Sequence, residues 1–311
     1  MKCLILGGGG FLGSHLSEAL IAEGHSVRIF ERSGFQRANF PNSEVIDWVE
    51  GNFVDVDQIA GAITGMDVIY HLVSTTLPKS SNEDPVYDIE TNVIGTLNLL
   101  ELSRKTSNRK IIFVSSGGTI YGIPKEVPIK ESHPTDPLCS YGIGKLTIEK
   151  YLHLYMVLHG IEYIVLRLGN PYGERQRISA SQGAVAVFLN KALHDELIEI
   201  WGDGNVVRDY IYVGDAVRAL SQAKSFAGKS GIFNIGAGQG RSLNEIIFAI
   251  EQLLGRPVRL RYLSARPFDV PVNVLDISRA KQCLNWEPRV SFEDGLRRTW
   301  QWMRSEMHSS K

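Results

Sequence analysis

The sequence is poor in cysteine and carries no excess charge of either sign. Its three cysteines, Cys3, Cys139 and Cys283, lie far apart in 311 residues. That spacing disfavours a disulfide framework or a cysteine-based zinc site and fits a reducing cytoplasm. Lysine and arginine total 33 against 34 aspartates and glutamates, so no basic field exists to bind a nucleic acid. The eight histidines show no metal-ligand spacing, so we expect no metal site.

Long apolar runs are missing as well. No stretch approaches the roughly 18 apolar residues that span a bilayer. Residues 1–6 run straight into four glycines, which is unlike the apolar core of a signal peptide. We therefore expect no membrane contact and a cytoplasmic location. Apolar residues make up 43% of the chain and charged residues 22%, as in globular proteins, and the length allows one large or two modest domains.

Short apolar runs alternate with longer helix-like segments in the first half of the chain. This alternation predicts an α/β fold with a doubly wound parallel sheet in residues 1–170. After that the pattern is less regular and predicts a smaller α+β lobe in residues 171–311, partly interleaved with the sheet. The predicted strands are residues 3–6, 26–30, 67–72, 110–115 and 162–168, and the predicted helices are residues 11–23, 57–64, 85–104, 141–159, 214–223, 242–254 and 292–304.

The segment 141–159 is apolar on more than one side. A helix that covers a sheet needs only one apolar stripe. The additional apolar residues, among them Leu154 and Leu158, therefore indicate a second packing partner. Another subunit and the second lobe are both open as that partner.

Glycines follow the first predicted strand at the spacing Gly7-x-x-Gly10-x-x-Gly13 and open a helix. Glycine permits a tight turn and a close approach of the backbone to a pyrophosphate. The N–H groups of the helix start, which include those of Phe11 and Leu12, then point toward the phosphates. The pattern predicts a dinucleotide-binding Rossmann domain.

A carboxylate ends the second predicted strand. Glu31 lies 24 residues after Gly7, where it accepts hydrogen bonds from the adenosine ribose hydroxyls and repels a 2′-phosphate. This position favours NAD over NADP. Arg32 leaves the alternative open, because a guanidinium attracts that phosphate.

Tyr141 and Lys145 are four residues apart at the start of a predicted helix, so they share one face. The other pair with this spacing, Tyr121 and Lys125, contains Pro124, which obstructs a helix. A tyrosine phenol has a pKa near 10, and a neighbouring ammonium lowers it. Tyr141 is therefore predicted to be a general base whose pKa Lys145, together with a positively charged nicotinamide ring, brings toward neutrality.

With these motifs the sequence resembles the extended short-chain dehydrogenase/reductase family, and within it the NAD-dependent sugar-nucleotide epimerase/dehydratase group. The resemblance extends over nearly the whole chain. Its motifs follow the family order at residues 7–13, 71–72, 92–96, 115–122, 141–145, 166–173, 208–211, 234–236 and 266–269.

The resemblance implies a 4-epimerase that acts on a nucleotide-diphosphate sugar of the UDP-hexose type through a transient 4-keto sugar. Tyr141 would remove the proton of the 4-hydroxyl while the hydride of C4 moves to NAD, and Lys145 would hold the nicotinamide ribose. The enzyme would be a homodimer. The residues implied to contact NAD, besides these two, are Gly7, Gly10, Phe11, Leu12, Gly13, Glu31, Arg32, Asn52, Phe53, Leu72 and Asn92.

One position departs from the family pattern. Epimerases of this group usually carry Ser or Thr where Gly117 stands, and the dehydratases carry Thr-Asp-Glu from that position onward. The missing acids disfavour dehydration. Thr119 or Ser116 is left to supply the missing hydroxyl, and we favour Thr119 because the two glycines before it let the backbone move closer.

The resemblance also implies a diphosphate site in the C-terminal lobe. Arginine side chains match phosphate oxygens in paired hydrogen bonds. Arg208 and Arg266 would hold the diphosphate with help from Asn170, and Asp269 would contact the nucleoside ribose.

Two other classes of function remain open. A related sugar-nucleotide reductase or a UDP-glucuronate decarboxylase would share most of these motifs. A sensor that binds NAD(H) without chemistry would share the cofactor site, although the intact pair of Tyr141 and Lys145 argues against it.

Overall fold

The computed structural model describes residues 1–35, 40, 42–106, 110–178, 183–264 and 270–309. Seven parallel strands form the main sheet in the order β10-β6-β5-β4-β1-β2-β3. The strands within these ranges are β1 (Lys2–Leu6), β2 (Ser26–Glu31), β3 (Asp47–Glu50), β4 (Val68–His71), β5 (Lys110–Ser116), β6 (Glu162–Leu168), β7 (Asn170–Tyr172), β8 (Ile198–Trp201), β9 (Val207–Tyr212), β10 (Ser230–Ile235), β11 (Gly240–Ser242), β12 (Leu260–Leu263) and β13 (Val272–Asn273).

The predicted doubly wound parallel sheet is confirmed. Its central strands are buried on both faces because helices cover both sides, and this burial explains their unbroken apolar sequences. The strand order reverses between β1 and β4, so the crevice beyond their carboxyl ends is where such sheets bind ligands. All five predicted strands are present with boundaries shifted by at most one residue.

Helices connect these strands and cover the sheet. The predicted helix at 85–104 is present but changes its winding, since a π-helical segment, Ile89–Ile94, interrupts it. The helices are α1 (Phe11–Ala22), α2 (Val56–Ile63), α3 (Pro78–Glu83), α4 (Pro85–Asp88), α5 (Gly95–Ser103), α6 (Ser140–His159), α7 (Ala184–Leu193), α8 (Val213–Ala223), α9 (Leu243–Leu254), α10 (Ser278–Leu284) and α11 (Phe292–Ser309).

The C-terminal half of the chain contributes strands to three sheets, one of which is a two-stranded sheet of β8 and β12. Strand β10 pairs with β6 in the main sheet, with Phe233 opposite Leu166. Strands β11, β9 and β13 form a separate small sheet to which β7 is joined through β9. Because β7 directly follows β6, this small sheet lies next to the carboxyl ends of β5 and β6. In the described ranges, no helix has the combination of length and apolarity needed to cross a bilayer.

Candidate active site

The glycine turn between β1 and α1 has a shape that only glycine allows at two points. Gly7 has a φ of +78°, in the left-handed region that other residues rarely adopt. A Cβ on Gly13 would lie 2.5 Å from the carbonyl oxygen of Gly8, so helix and turn are in direct backbone contact. Gly10 caps α1 without a side-chain hydrogen bond, so the helix start is open toward the crevice. Phe11 and Leu12 form the first turn of that helix, as predicted for a phosphate cradle.

Glu31 lies at the end of β2 with its carboxylate against this turn. Its Oε2 accepts a hydrogen bond from the backbone N–H of Gly9 at 3.0 Å, and its Oε1 accepts one from the N–H of Arg32 at 3.1 Å. The side chain of Arg32 is exposed. A carboxylate fixed beside the glycine turn fits the ribose of NAD, so the residues present fit this cofactor.

Three further predicted cofactor residues lie around the same edge of the sheet. Asn52 is exposed, and its Oδ1 accepts a hydrogen bond from the N–H of Val54 at 3.3 Å. Phe53 is buried, and its ring lies 5.0 Å from the ring of His71. Leu72 follows β4, and its N–H donates to the carbonyl of Leu6. Phe53 therefore contributes to the core beneath the site.

Asn92, predicted to contact the cofactor, is engaged within the protein. It is buried in the π-helical segment, and its Oδ1 accepts a hydrogen bond from the N–H of Thr75 at 3.1 Å. Its Nδ2 donates to the backbone and side-chain oxygens of Asp88, both at 3.0 Å. Asn92 thus holds the loop that follows β4, and its contact with NAD stays a prediction.

Tyr141 and Lys145 lie on the first turns of α6, on one face as predicted. The Nζ of Lys145 lies 5.5 Å from the centroid of the Tyr141 ring and donates to the carbonyl of Val114 at 3.0 Å. Ser74, in the loop after β4, lies near the phenol of Tyr141 and lowers its pKa. The pair therefore lies between the ends of β4 and β5.

Burial has the largest effect on the pKa of both Tyr141 and Lys145. It raises the pKa of Tyr141 to about 12, against a lowering by the hydrogen bond with Ser74. Burial lowers the pKa of Lys145 to about 8, although the charges of Asp88 and Glu149 act in the opposite direction. The expectation that Lys145 lowers the pKa of Tyr141 is therefore not met by the chain's own residues, since the ammonium is directed to Val114 and the phenol is desolvated.

The loop after β5 explains the unusual Gly117. A Cβ on Gly117 would lie 2.6 Å from Cδ1 of Leu275 and 3.1 Å from the carbonyl of Leu168, so the space for a side chain is filled. Two residues later, the Oγ1 of Thr119 is buried and has no hydrogen-bond partner among the described residues. A Cβ on Gly142 would lie 2.9 Å from the carbonyl of Thr119, which places Thr119 against the first turn of α6. Ser116, the alternative, ends β5.

Two of the four predicted substrate residues lie at this edge. Asn170 begins β7, and its Oδ1 would be 3.7 Å from a Cβ on Gly118. Arg208 lies on β9 and donates to the carbonyl of Val270 at 2.6 Å. Arg266 and Asp269 lie outside the described residues.

Two residues that the sequence analysis missed belong to this site. Ser74 contacts the phenol of Tyr141, and Asp88 accepts a hydrogen bond from the hydroxyl of Ser140 at 2.7 Å. Neither belongs to a glycine motif or has a diagnostic spacing. The one available signal was the position of Ser74 just beyond a buried parallel strand, where such sheets carry functional side chains.

Comparisons with known proteins agree with this geometry. Residues 3–236 match the family described as the NAD dependent epimerase/dehydratase family. The UDP-glucose 4-epimerase of Mycolicibacterium smegmatis is 34% identical over 312 residues, covering 98% of this chain and 99% of that protein.

Solved structures give the same result. The UDP-glucose 4-epimerase of Thermotoga maritima with UDP-glucose has a TM-score of 0.94 at 35% identity, covering 99% of this chain and 100% of that one. The UDP-glucose 4-epimerase of Thermus thermophilus in complex with NAD has a TM-score of 0.90 at 32% identity, covering 98% of this chain and 99% of that one. Sequence and shape agree over almost the whole length, and the chain belongs to the NAD-dependent epimerase/dehydratase family.

Proposed function

We propose that this protein is an NAD-dependent 4-epimerase of a UDP-hexose that acts through a transient 4-keto sugar. The observation that carries the proposal is the position of Tyr141 and Lys145, on the first turns of α6, which pack against Thr119. The Oγ1 of Thr119 has no hydrogen-bond partner in the part of the chain that the structure describes. The similarity to UDP-glucose 4-epimerases over nearly the whole chain supports this choice.

The proposed roles follow from this arrangement. When bound, NAD supplies the acceptor and donor of the hydride and a positive ring charge. Tyr141 holds the proton of the sugar 4-hydroxyl during the keto stage and returns it. Lys145 contacts the nicotinamide ribose, while Thr119 donates a hydrogen bond to the reacting oxygen; Ser116 is the alternative donor.

We assign NAD and the UDP-sugar to opposite sides of the crevice. The open start of α1 and the carboxylate of Glu31 hold NAD, because a fixed negative charge there repels a 2′-phosphate. Asn170 and Arg208 hold the diphosphate of the UDP-sugar from the side of the small sheet. Arg266 and Asp269 are proposed to complete that site.

We also propose a homodimer that forms through α6. Four apolar residues of this helix are exposed, namely Ile143, Leu154, Val157 and Leu158. At 100° per residue they fall within about 100° of one another, so they form one face. The neighbouring segment 85–94 exposes Val86, Tyr87, Ile89 and Ile94. A second copy of the same surface covers both sets, which is the usual way in which soluble proteins bury such a patch.

A cytoplasmic location is proposed from the thiols. Cys3, Cys139 and Cys283 are all free. A reducing compartment keeps them so. Detection of the protein in the cytosolic fraction of its source cells tests this assignment.

The experiment that tests the function uses the purified protein without added cofactor. UDP-glucose, UDP-N-acetylglucosamine and UDP-glucuronate are offered in turn, and the products are analysed by NMR. We expect inversion at C4 of at least one of these sugars. Release of carbon dioxide would instead indicate a decarboxylase. NADH-dependent reduction of a nucleotide-linked 4-keto sugar, with no turnover of these three sugars, would indicate a reductase.

The matched variant is Tyr141→Phe, which keeps the ring and removes the hydroxyl. Loss of general acid–base catalysis lowers kcat about 10²- to 10⁴-fold. Comparable circular dichroism and unchanged bound NAD serve as controls for folding and cofactor binding. Unchanged turnover in this variant would contradict the proposal.

A further inference from the structure

Asp88 is a buried carboxylate at the junction of three segments of the site. It ends α4, and its side chain is 2% exposed. Its Oδ1 accepts hydrogen bonds from the hydroxyl of Thr76 and from the Nδ2 of Asn92. Its Oδ2 accepts one from the hydroxyl of Ser140 at 2.7 Å. One carboxylate thus joins the loop after β4, the π-helical segment and the first residue of α6.

Each segment that Asp88 contacts lies next to Tyr141, either in space or in the chain. The loop that Asp88 and Asn92 hold also carries Ser74, which lies near the phenol of Tyr141 and lowers its pKa. Ser140 precedes Tyr141 in the chain. The backbone of Tyr141 is fixed separately, because its N–H donates to the Oγ of Ser81 at 3.0 Å. Both the backbone and the phenol of Tyr141 are therefore positioned by the segment between β4 and α4, which carries Ser74 and Ser81.

Asp88 also lies against the turn that carries Lys145. A Cβ on Gly144 would lie 3.6 Å from the Oδ2 of Asp88, so the glycine allows the helix to approach the carboxylate closely. Asp88 has no ion-pair partner among the described residues. Glu149, the other carboxylate near Lys145, is bonded to Arg167 at 2.6 Å. Of the two, Asp88 is the one that forms no ion pair with another side chain within the described ranges.

We propose that Asp88 is a positioning residue for the epimerase reaction, which ties the loop of Ser74 to the start of α6 and places beside Lys145 a negative charge that forms no ion pair elsewhere in the described part of the chain. This inference rests on the proposed function. The remaining groups around Lys145 do not replace that charge. Without NAD, burial raises the pKa of Tyr141 to about 12 and its phenol is neutral. His71 on β4 is neutral because burial lowers its pKa to about 3, and Phe113 on β5 offers only a ring face at 4.8 Å.

The sign of the effect on Lys145 follows from the charges. Burial lowers the pKa of Lys145 to about 8, and Asp88 opposes this lowering. Removing the charge lowers that pKa further, so the ammonium is lost at a lower pH. If Asp88 acted only through its hydrogen bonds, the pKa of Lys145 would not change in this way. The titration of Lys145 therefore separates the effect of the Asp88 charge from the effect of its hydrogen bonds.

Two variants test these parts separately. Asp88→Asn removes the charge and keeps a side chain of the same size. Ser140→Ala keeps the charge and removes the contact with α6. With ¹³Cε-labelled lysine, NMR follows the titration of Lys145, whose signal is assigned by its absence in Lys145→Arg. We expect the midpoint to fall by about one pH unit or more in Asp88→Asn and to stay unchanged in Ser140→Ala.

The pH dependence of kcat/KM supplies the second measurement. In Asp88→Asn the alkaline limb moves to lower pH with the Lys145 midpoint. In Ser140→Ala the profile keeps its shape, and kcat falls about three- to tenfold because Tyr141 is less well positioned. Unfolding in urea checks that the variants fold, and Asp88→Ser, which leaves room for a water, replaces Asp88→Asn if that variant does not.

An unchanged Lys145 midpoint and an unchanged profile in a folded Asp88 variant would overturn the inference. The NMR titration needs no turnover, so it also separates this inference from the proposed function. A shifted midpoint in a protein without epimerase activity would support the charge contact and contradict the function.

Discussion

The side chain of Leu275 limits which residue fits at position 117, in the loop after β5. It fills the space beside Gly117, so a serine or threonine there would require the leucine to move. The nearest buried hydroxyl without a partner among the described residues is then that of Thr119. The chain therefore combines a glycine at the usual hydroxyl position with a threonine two residues later.

Substitution of Thr119 tests this exchange of roles. Thr119→Val keeps the size of the side chain and removes its hydroxyl, and we expect kcat to fall about 10- to 100-fold through loss of one hydrogen bond to the reacting oxygen. Thr119→Ser is the control and retains most of the rate. Steady-state kinetics on the UDP-hexose that is turned over measure both. A large loss in Ser116→Ala together with full activity in Thr119→Val would reassign the hydroxyl to Ser116.

The sequence predicted some features of these residues and missed others. Gly117 was recognised as a departure because the residues around it follow a family motif. Its cause was not predictable, since Leu275 is 158 residues away in the chain. The expected lowering of the Tyr141 pKa relied on Lys145 together with a nicotinamide ring and stays a prediction for the NAD-bound protein. Among the chain's own residues, desolvation raises this pKa, and such burial depends on tertiary packing that spacing does not encode.

At the scale of elements, the helical stretch from α4 to α5 shows what periodicity predicts and what it misses. Its extent agrees with the predicted 85–104. Its π-helical segment was not predicted, because one wider turn hardly changes the apolar pattern. That segment carries Asn92 and follows Asp88, so the irregular winding lies where the helix contacts the loop after β4.

His71, at the end of β4, connects that strand to α5. Its Nε2 lies 2.8 Å from the Oγ1 of Thr96, and the Thr96 hydroxyl donates to the carbonyl of Asn92 at 2.6 Å. The threonine oxygen is therefore the acceptor from the ring, which places the proton on Nε2. Burial, with a smaller effect from the charge of Lys145, lowers the pKa of His71 to about 3.

This burial predicts sensitivity of folding to acid. In the unfolded chain the histidine pKa returns to about 6.5, so between pH 6.5 and 3 the unfolded state binds a proton that the folded state does not. From pH 8 to pH 5, His71 lowers the free energy of unfolding by about 2 kcal/mol. Urea unfolding of the protein and of His71→Gln at both pH values measures the difference. An equal loss in both proteins would show that His71 is accessible to protons in the fold.

For the whole molecule, the exposed face of α6 predicts association. Its apolar side was visible in the sequence, but two candidate partners remained, since a sequence does not show which faces the second lobe covers. The structure leaves Val157 and Leu158 each 61% exposed, so the rest of the described chain does not cover them. The division into residues 1–170 and 171–311 stays a prediction.

A charge on this face tests the dimer. We expect sedimentation of the unaltered protein as a dimer at micromolar concentration and of Leu158→Lys as a monomer, because a buried ammonium at an apolar interface is strongly unfavourable. Phe248→Lys on α9 is the matched control, since Phe248 is 62% exposed on another helix. Dissociation by both substitutions, or by neither, would contradict the assignment of the interface to α6.

The pairing of β10 with β6 affects how the chain folds during synthesis. A nascent chain that has left the ribosome only as far as residue 170 presents β6 as an unpaired edge, and that edge is ready to pair with other chains. The partner strand is not made until residue 235, and at about 5 to 20 residues per second the delay lasts several seconds. Chaperones that cover exposed strands are therefore expected to bind the nascent chain after residue 170 and before residue 235 has been made.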